Sequence, residues 1–458
     1  MKKFNSIALC FLFSVIAGMP NVYGGELITD SVVRDRPSLP PLFGADHKAV
    51  DPTFYTTILR VTGPSGSNAV RESAETQNLS PIQHFHNPWN VTGDLFIVWE
   101  DRLSQGVGGG TTVYSFNSTD FSVSRVNRLG ASAASQVNYN RGIKWSTNPS
   151  LSNSDNKYLL YAVDSSATPN TIKRWNVDLT SAHDGLAAGS SEVILTDVDG
   201  ISQLTVSSDC DKFNYWTSAN VVKVYVKSTN TTYSKDCSSW YSFDECEIVD
   251  SGSYVEVKGH QVNGDQIKWI YNYQLTTEYA YNQYAPDFMA GKTSSKGNLI
   301  VNEDSQHSTY QLVVRDLSID SPGESPWSGG SPKNIFVGPT KTTGSVHPAM
   351  SSAQYVYGGF FRSTGHPTPW VAYHDEVVRI TVQDASANGN QVLRLCHAWS
   401  NFYNNSYDEI PTYASPDGKY VLFYSNWNGS SSTARHDVFI VSTFIFSPTP
   451  SIKNIAIH

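Results

Sequence analysis

Apolar and polar positions alternate in short runs along most of this chain, and one arrangement of them returns again and again. Residues 413–427 read YASPDGKYVLFYSNW: a polar tight turn from Ser415 to Gly418, then a strand in which Tyr420, Leu422 and Tyr424 fall on alternate positions. Looser copies are PWNVTGDLFIVWE (88–100), PSLSNSDNKYLLYA (149–162), LTVSSDCDKFNYW (204–216) and PAMSSAQYVYGGFF (348–361). Each reads as strand, polar turn and a second strand rich in Tyr, Phe, Val or Ile. Between the copies, further short strand patterns (55–61, 221–226, 267–273, 310–314, 377–382, 438–441) alternate with Gly, Ser, Asn and Asp turns. No amphipathic helix of about ten residues or more is predicted.

Self-similarity at a period of tens of residues marks an array or a propeller. One small twisted sheet cannot bury both faces alone, so copies pack around an axis. The expected fold is therefore all-β: a single β-propeller of four-stranded antiparallel sheets. The copies are anchored near positions 88, 149, 204, 262, 348 and 411, about 55–65 residues apart except for one gap of about 86. That gap, from 262 to 348, has room for a degenerate blade around 310–317, which gives seven blades, with six or eight left open. The strand at 438–446 is expected to complete a blade begun near the N-terminus and so remove exposed sheet edges.

The ends and the composition add a compartment. Lys2 and Lys3, the apolar stretch 7–17, and Val22 and Gly24 at the positions a signal peptidase inspects read residues 1–24 as a signal peptide, too short to span a bilayer. The mature protein is expected to be secreted or periplasmic, outside any membrane, and monomeric. Residues 25–50, with Pro37, Pro40 and Pro41, read as a lead-in wrapping the outside, and 51–458 as the propeller that carries the chemistry. A net charge of −9 without a basic stripe argues against nucleic acid as a partner. In an oxidising compartment Cys237 is expected to pair with Cys246 or Cys210, leaving Cys396 a buried thiol. Aromatics are 12 % of the chain and charged residues only 16 %. In an exported β-protein, Trp and Tyr faces suit sugar rings, although aromatics are also good strand formers.

The innermost strand of each blade lines the central channel, so the residues just before each polar turn are the candidate site. They are His84, His86 and Asn87; Lys144, Trp145 and Asn148; and, in later blades, Gln203, His260, His347, His366 and Glu409. In His84-Phe85-His86 an extended backbone aims both imidazoles one way and the phenyl ring the other. That arrangement suits a general base, a substrate clamp or a metal pair, and equally a pair of backbone-bonded histidines. Tyr139 and Arg141 share a face, with Lys144 beyond them; a cation beside a tyrosine favours the phenolate, which can act as a base. Arg362 and Arg379 are further carboxylate clamps, and His374 and His397 stay ambiguous between chemistry and structure. The chain has no Ser-x-Asp-x-Gly-x-x-Trp repeat, no Gly-x-Ser-x-Gly elbow and no His-Glu-x-x-His.

His397 followed by Asp408-Glu409-Ile410-Pro411 and SPDGKYVLFYSNW resembles the last blade of secreted propeller polysaccharide lyases, the oligogalacturonate lyases and, more loosely, the ulvan lyases. DPTFYTTILRVT (51–62) looks like the opening of the same class. The resemblance implies cleavage of an anionic, uronate-containing polysaccharide by β-elimination. On the channel-lining reading of the residues, catalysis is expected of His84, His86, Tyr139 and Arg141, and substrate binding of Asn87, Lys144, Trp145, His260, His347 and His366; the ulvan lyase His and Tyr set has no residue-by-residue match here. Oligogalacturonate lyases carry a His-Pro-His metal site in a late blade; here the comparable stretch is Glu409-Ile410-Pro411. A divalent metal (Ca or Zn) is a further means of neutralising the carboxylate, and its identity stays open. A non-catalytic carbohydrate-binding or scaffold propeller and a propeller glycoside hydrolase are the alternatives. The hydrolase needs two carboxylates facing the channel about 5–10 Å apart.

Overall fold

Strands that alternate Val, Ile, Tyr and Phe with short polar turns pair with their sequence neighbours, and in the computed structural model they do so seven times. The structure describes residues 28–34, 37–42, 44–63, 78–81, 87–101, 110–129, 142–164, 168–177, 188–239, 242–260, 266–281, 294–304, 311–318, 333–337, 346–360, 372–382, 391–401, 410–427 and 436–444. The chain is an all-β, seven-bladed propeller of small antiparallel sheets, and six of its blades are four-stranded meanders. Their innermost strands are Asn78–Pro81, Ile143–Trp145, Ser202–Val206, Ser242–Ile248, Ser294–Lys296 and Val346–Ser352 for blades 1 to 6.

Blade 7 closes the ring. Thr412–Ala414, Tyr420–Ser425 and Asp437–Ser442 form its inner part, and Thr57–Arg60 and Lys48–Val50 are added outside from the other end of the chain. The N-terminal segment thus completes a blade that the C-terminal segment builds, and Asp437–Ser442 is paired on both sides. The join is locked by a buried ion pair, Arg60 Nη2 to Asp437 Oδ2 at 2.6 Å. The Thr62 hydroxyl donates to Asp437 Oδ1 at 2.8 Å and accepts the Val438 N–H at 3.0 Å. Ahead of these strands, the backbone N–H of Arg394 on blade 6 donates to Ile28 O at 2.9 Å, and the Trp427 indole donates to Pro40 O at 3.0 Å.

Each blade is apolar on both faces because each is covered by two neighbours. Tyr420 and Leu422 enter the seam with blade 1, while Val421 and Phe423 enter the seam with blade 6. In blade 2, Leu160 and Ala162 face blade 1, while Tyr161 and Val163 face blade 3. Side chains two apart share a face, so a continuous apolar strand is what burial on both sides requires.

The polar turn between the first two strands of a blade is the same physical device in copies of different sequence. In blade 7, Ser415 Oγ donates to Asp417 Oδ1 at 2.6 Å and accepts the Tyr420 N–H at 3.1 Å, and the Gly418 N–H returns to Ser415 O at 2.8 Å. Blade 3 repeats this with Ser207, Asp209, Cys210 and Lys212. Asn90 takes the serine's part in blade 1, accepting the Leu95 N–H at 3.1 Å.

One blade anchor changes. The anchor near 262 does not open a blade: it falls between the second and third strands of blade 4, Tyr254–His260 and Gln266–Asn272. The inner turn of that blade is at 249–253, closed by Gly252 N–H to Val249 O at 2.7 Å. The blade expected in the long gap is present, with Gln311–Asp316 as its third strand.

The expected disulfide is also corrected: Cys210, Cys237, Cys246 and Cys396 are all buried free thiols. Cys210 lies in the seam of blades 2 and 3, where its Sγ accepts the Thr147 N–H at 3.4 Å. Cys237 and Cys246 fill the next seam as small apolar side chains. Burial pushes Cys237 up to about 11 and raises Cys246 and Cys396 as well, so all three stay protonated.

Candidate functional site

Where the inner strands run into their turns, a cavity of about 440 Å³ opens on the propeller axis, lined by residues of all seven blades. A set of hydrogen bonds crosses every seam around it. Asn87 Nδ2 on blade 1 donates to Ala414 O on blade 7 at 2.7 Å, and the Trp145 indole on blade 2 donates to Pro88 O at 2.8 Å. Lys144 Nζ on blade 2 donates to Val206 O on blade 3 at 2.5 Å, and Thr147 Oγ1 to Ser208 O at 2.7 Å. The Ser208 N–H donates to Asp250 O on blade 4 at 2.8 Å, and the Asp250 N–H to Ser295 Oγ on blade 5 at 2.9 Å. The Met350 N–H on blade 6 donates to Ser294 Oγ at 2.9 Å, and the Tyr357 hydroxyl closes the circle on Gly418 O of blade 7 at 2.9 Å. A wall fixed in this way is held in place before any ligand arrives.

The wall carries two cations, two carboxylates and a run of hydroxyls. The Lys144 residue is half-buried overall, but its amino group is the deep end, and burial lowers its pKa. Nearby Cys210 and Asp250 oppose that shift, and Lys296 adds to it. Lys296 reaches Asp250 Oδ2 at 3.7 Å, and the same oxygen accepts the Gly297 N–H at 2.9 Å. Glu247 is buried at the end of the blade 4 inner strand, in register with Glu256. Lys258 bonds Glu245 and lies 3.4 Å from Glu256. Burial alone would lower Lys258, and these carboxylates outweigh it, so its pKa is raised.

Of the residues selected from sequence, Asn87, Lys144 and Trp145 border this cavity. Asn87 also caps its own turn, accepting the Trp89 N–H at 3.1 Å. Trp145 is 2 % exposed and pins the seam between blades 2 and 1, while Trp89, whose indole donates to Tyr413 O at 3.1 Å, pins the seam between blades 1 and 7. Strands Tyr254–His260 and Val346–Ser352 carry His260 and His347, whose side chains lie outside the described residues; Pro348, next to His347, borders the cavity. His84, His86, Tyr139, Arg141, Arg362, His366 and Glu409 lie outside the described residues.

Gln203 accepts the Trp216 indole N–H at 3.0 Å in the seam of blades 3 and 4, and Arg379 stacks on Tyr355 at 4.6 Å. His397 is buried away from the axis between Phe54 and Trp399, its Nδ1 3.1 Å from Asp51 Oδ2. The same Asp51 oxygen accepts the His397 N–H at 2.8 Å, which ties the N-terminal segment to blade 6.

Sequence reasoning missed Glu247, Asp250 and Lys296. Their signal was present: Asp250 sits in the polar turn DSGS and Lys296 beside Gly297, but both belong to the two blades whose anchors were misplaced or hidden. For a metal, the described residues hold no group of three or more His, Cys, Asp or Glu side chains that could bind one. At the stretch compared with His-Pro-His, Ile410 is fully buried, and its carbonyl lies 2.0 Å from where a Cβ on Gly359 would sit. The described part of that stretch therefore does not fit a metal site.

No protein-family model matches the chain, and no curated protein sequence matches it. Solved structures do resemble it. An oligogalacturonate lyase from Vibrio parahaemolyticus superposes with a TM-score of 0.55 at 10 % identity, over 86 % of this chain and 96 % of the other. An oligogalacturonate lyase in complex with manganese gives a TM-score of 0.54 at 10 % identity, over 87 % and 98 %. The β-propeller domain of the trilobed protease from Pyrococcus furiosus gives 0.44 at 10 % identity, over 84 % and 100 %. The first two likenesses show a shared fold.

Proposed function

We propose that this chain is a polysaccharide lyase that acts outside the cytoplasm on a uronate-containing polysaccharide. The observation that carries the reading is the axial cavity: all seven blades supply its wall, and Lys144 and Lys296 are part of it. The export pattern of residues 1–24 and the fold shared with oligogalacturonate lyases support it further.

β-Elimination starts with removal of the C5 proton, α to the uronate carboxylate. The electron pair forms the C4=C5 double bond, the C4–O bond breaks, and the leaving oxygen takes up a proton. Neutralising the carboxylate makes the C5 proton more acidic, and a fixed ammonium in a desolvated wall does this without reorganising. Lys144, held on the cavity wall by its hydrogen bond to Val206 O, is the candidate for that part. The base and the acid fall to the His84, His86, Tyr139 and Arg141 set.

A second reading follows from Glu247 and Asp250, two carboxylates on one cavity, as a glycoside hydrolase requires. Asp250 is already engaged by the Gly297 N–H, which favours elimination. Mass spectrometry of the products separates the two. A lyase yields one unsaturated end short of one water, a hydrolase yields two saturated ends, and a binding propeller leaves the polymer whole.

A further inference from the structure

We propose that the axial cavity is a binding subsite for a single carboxylate-bearing sugar, gripped between Lys144 of blade 2 and Lys296 of blade 5. This deepens the lyase reading, from which it takes the uronate as ligand, but it requires binding alone.

Lys144 donates one of its three protons to Val206 O. Lys144 is one of the residues that line the cavity. Lys296 is 43 % exposed, and its contact with Asp250, at 3.7 Å, is long for a charged hydrogen bond. The Asp250 carboxylate already accepts the Gly297 N–H, so it does not depend on Lys296. The two ammonium groups are close enough that Lys296 disfavours the charge on Lys144. Asp250 already offsets that repulsion in part, and a ligand carboxylate between the two ammonium groups adds to that offset. The other carboxylate on the wall, Glu247, belongs to a blade that carries its own cation, Lys258.

The neighbouring hydroxyls suit a sugar. Ser294 Oγ accepts the Met350 N–H and Ser295 Oγ accepts the Asp250 N–H, so each keeps its own proton to donate. A volume of about 440 Å³ lies within the ~300–1,000 Å³ of small-molecule sites.

The test is calorimetric titration of the protein with sodium D-glucuronate and D-galacturonate, with glucose, galactose and sodium acetate as controls. At least one uronate is expected to bind about tenfold or more tightly than its neutral sugar and than acetate. Lys144→Met and Lys296→Met should each weaken that binding by about 10–100-fold, as loss of a charge-assisted hydrogen bond does. The Lys296 side chain is 43 % exposed, so its variant carries the test even if Lys144→Met fails to fold. The proposal is overturned if no uronate binds, if the neutral sugar or acetate binds as well, or if Lys296→Met leaves the affinity unchanged. Uronate binding without polymer cleavage would sink the lyase reading alone, and cleavage without monosaccharide binding would sink this one alone.

Discussion

Two residues show how closely this ring is fitted. Gly142 has φ +93°, and a Cβ there would lie 2.1 Å from Leu204 O of the next blade. The position therefore excludes a side chain both by its backbone conformation and by the neighbouring carbonyl. Gly142→Ala is expected to cost about 1–3 kcal/mol of strain or more, measured by urea unfolding. Cys237 sets an alkaline limit. Its thiol is held up to about 11 in the fold against an ordinary 9.0. Between those values the unfolded chain releases a proton that the folded chain keeps, so stability falls as pH rises from about 9 towards 11. Cys237→Ala should flatten that part of the curve of melting temperature against pH, and an unchanged slope would assign the loss elsewhere. If the His84–His86 pair moves the proton, His86→Ala lowers turnover by about 10²–10⁴-fold with little change in melting temperature.

At the scale of elements, the polar turn explains both what the sequence disclosed and what it concealed. Blades 3 and 7 were legible because Ser207/Asp209 and Ser415/Asp417 make the same network with the same residue types. Blade 4 was misplaced because the stretch around 262 has the turn composition too, and composition does not distinguish an inner hairpin from an outer one. Blade 5 was hidden because its inner strand, Ser294–Lys296, has three polar residues and no apolar signal. Glu247, Asp250 and Lys296 were lost with those two blades, so the site was legible only on the side of blades 1 and 2. The closing blade offers a test of its own. Arg60→Ala leaves Asp437 buried without its cation, which is expected to cost about 3–5 kcal/mol. Chemical denaturation measures it, and a loss below 1 kcal/mol would mean that the join does not depend on this pair.

For the whole molecule, a seven-membered ring gives what no single blade can: a cavity to which every repeat contributes and whose wall is cross-bonded at every seam. The overall charge of −9 opposes a polyanion at long range, but that field is screened within about 10 Å at 0.1 M salt. Locally, the proposed function has Lys144 and Lys296, both on the cavity wall, decide what enters. The proposed function stands or falls on elimination at that cavity. The most direct measurement is ultraviolet absorbance of the unsaturated uronide while the protein is incubated with ulvan, pectate, alginate and glycosaminoglycans in turn. The account predicts a rising signal on at least one of them, lost in His86→Ala and weakened in Lys144→Met. A flat trace on every polymer, from protein that is folded by circular dichroism, would contradict it.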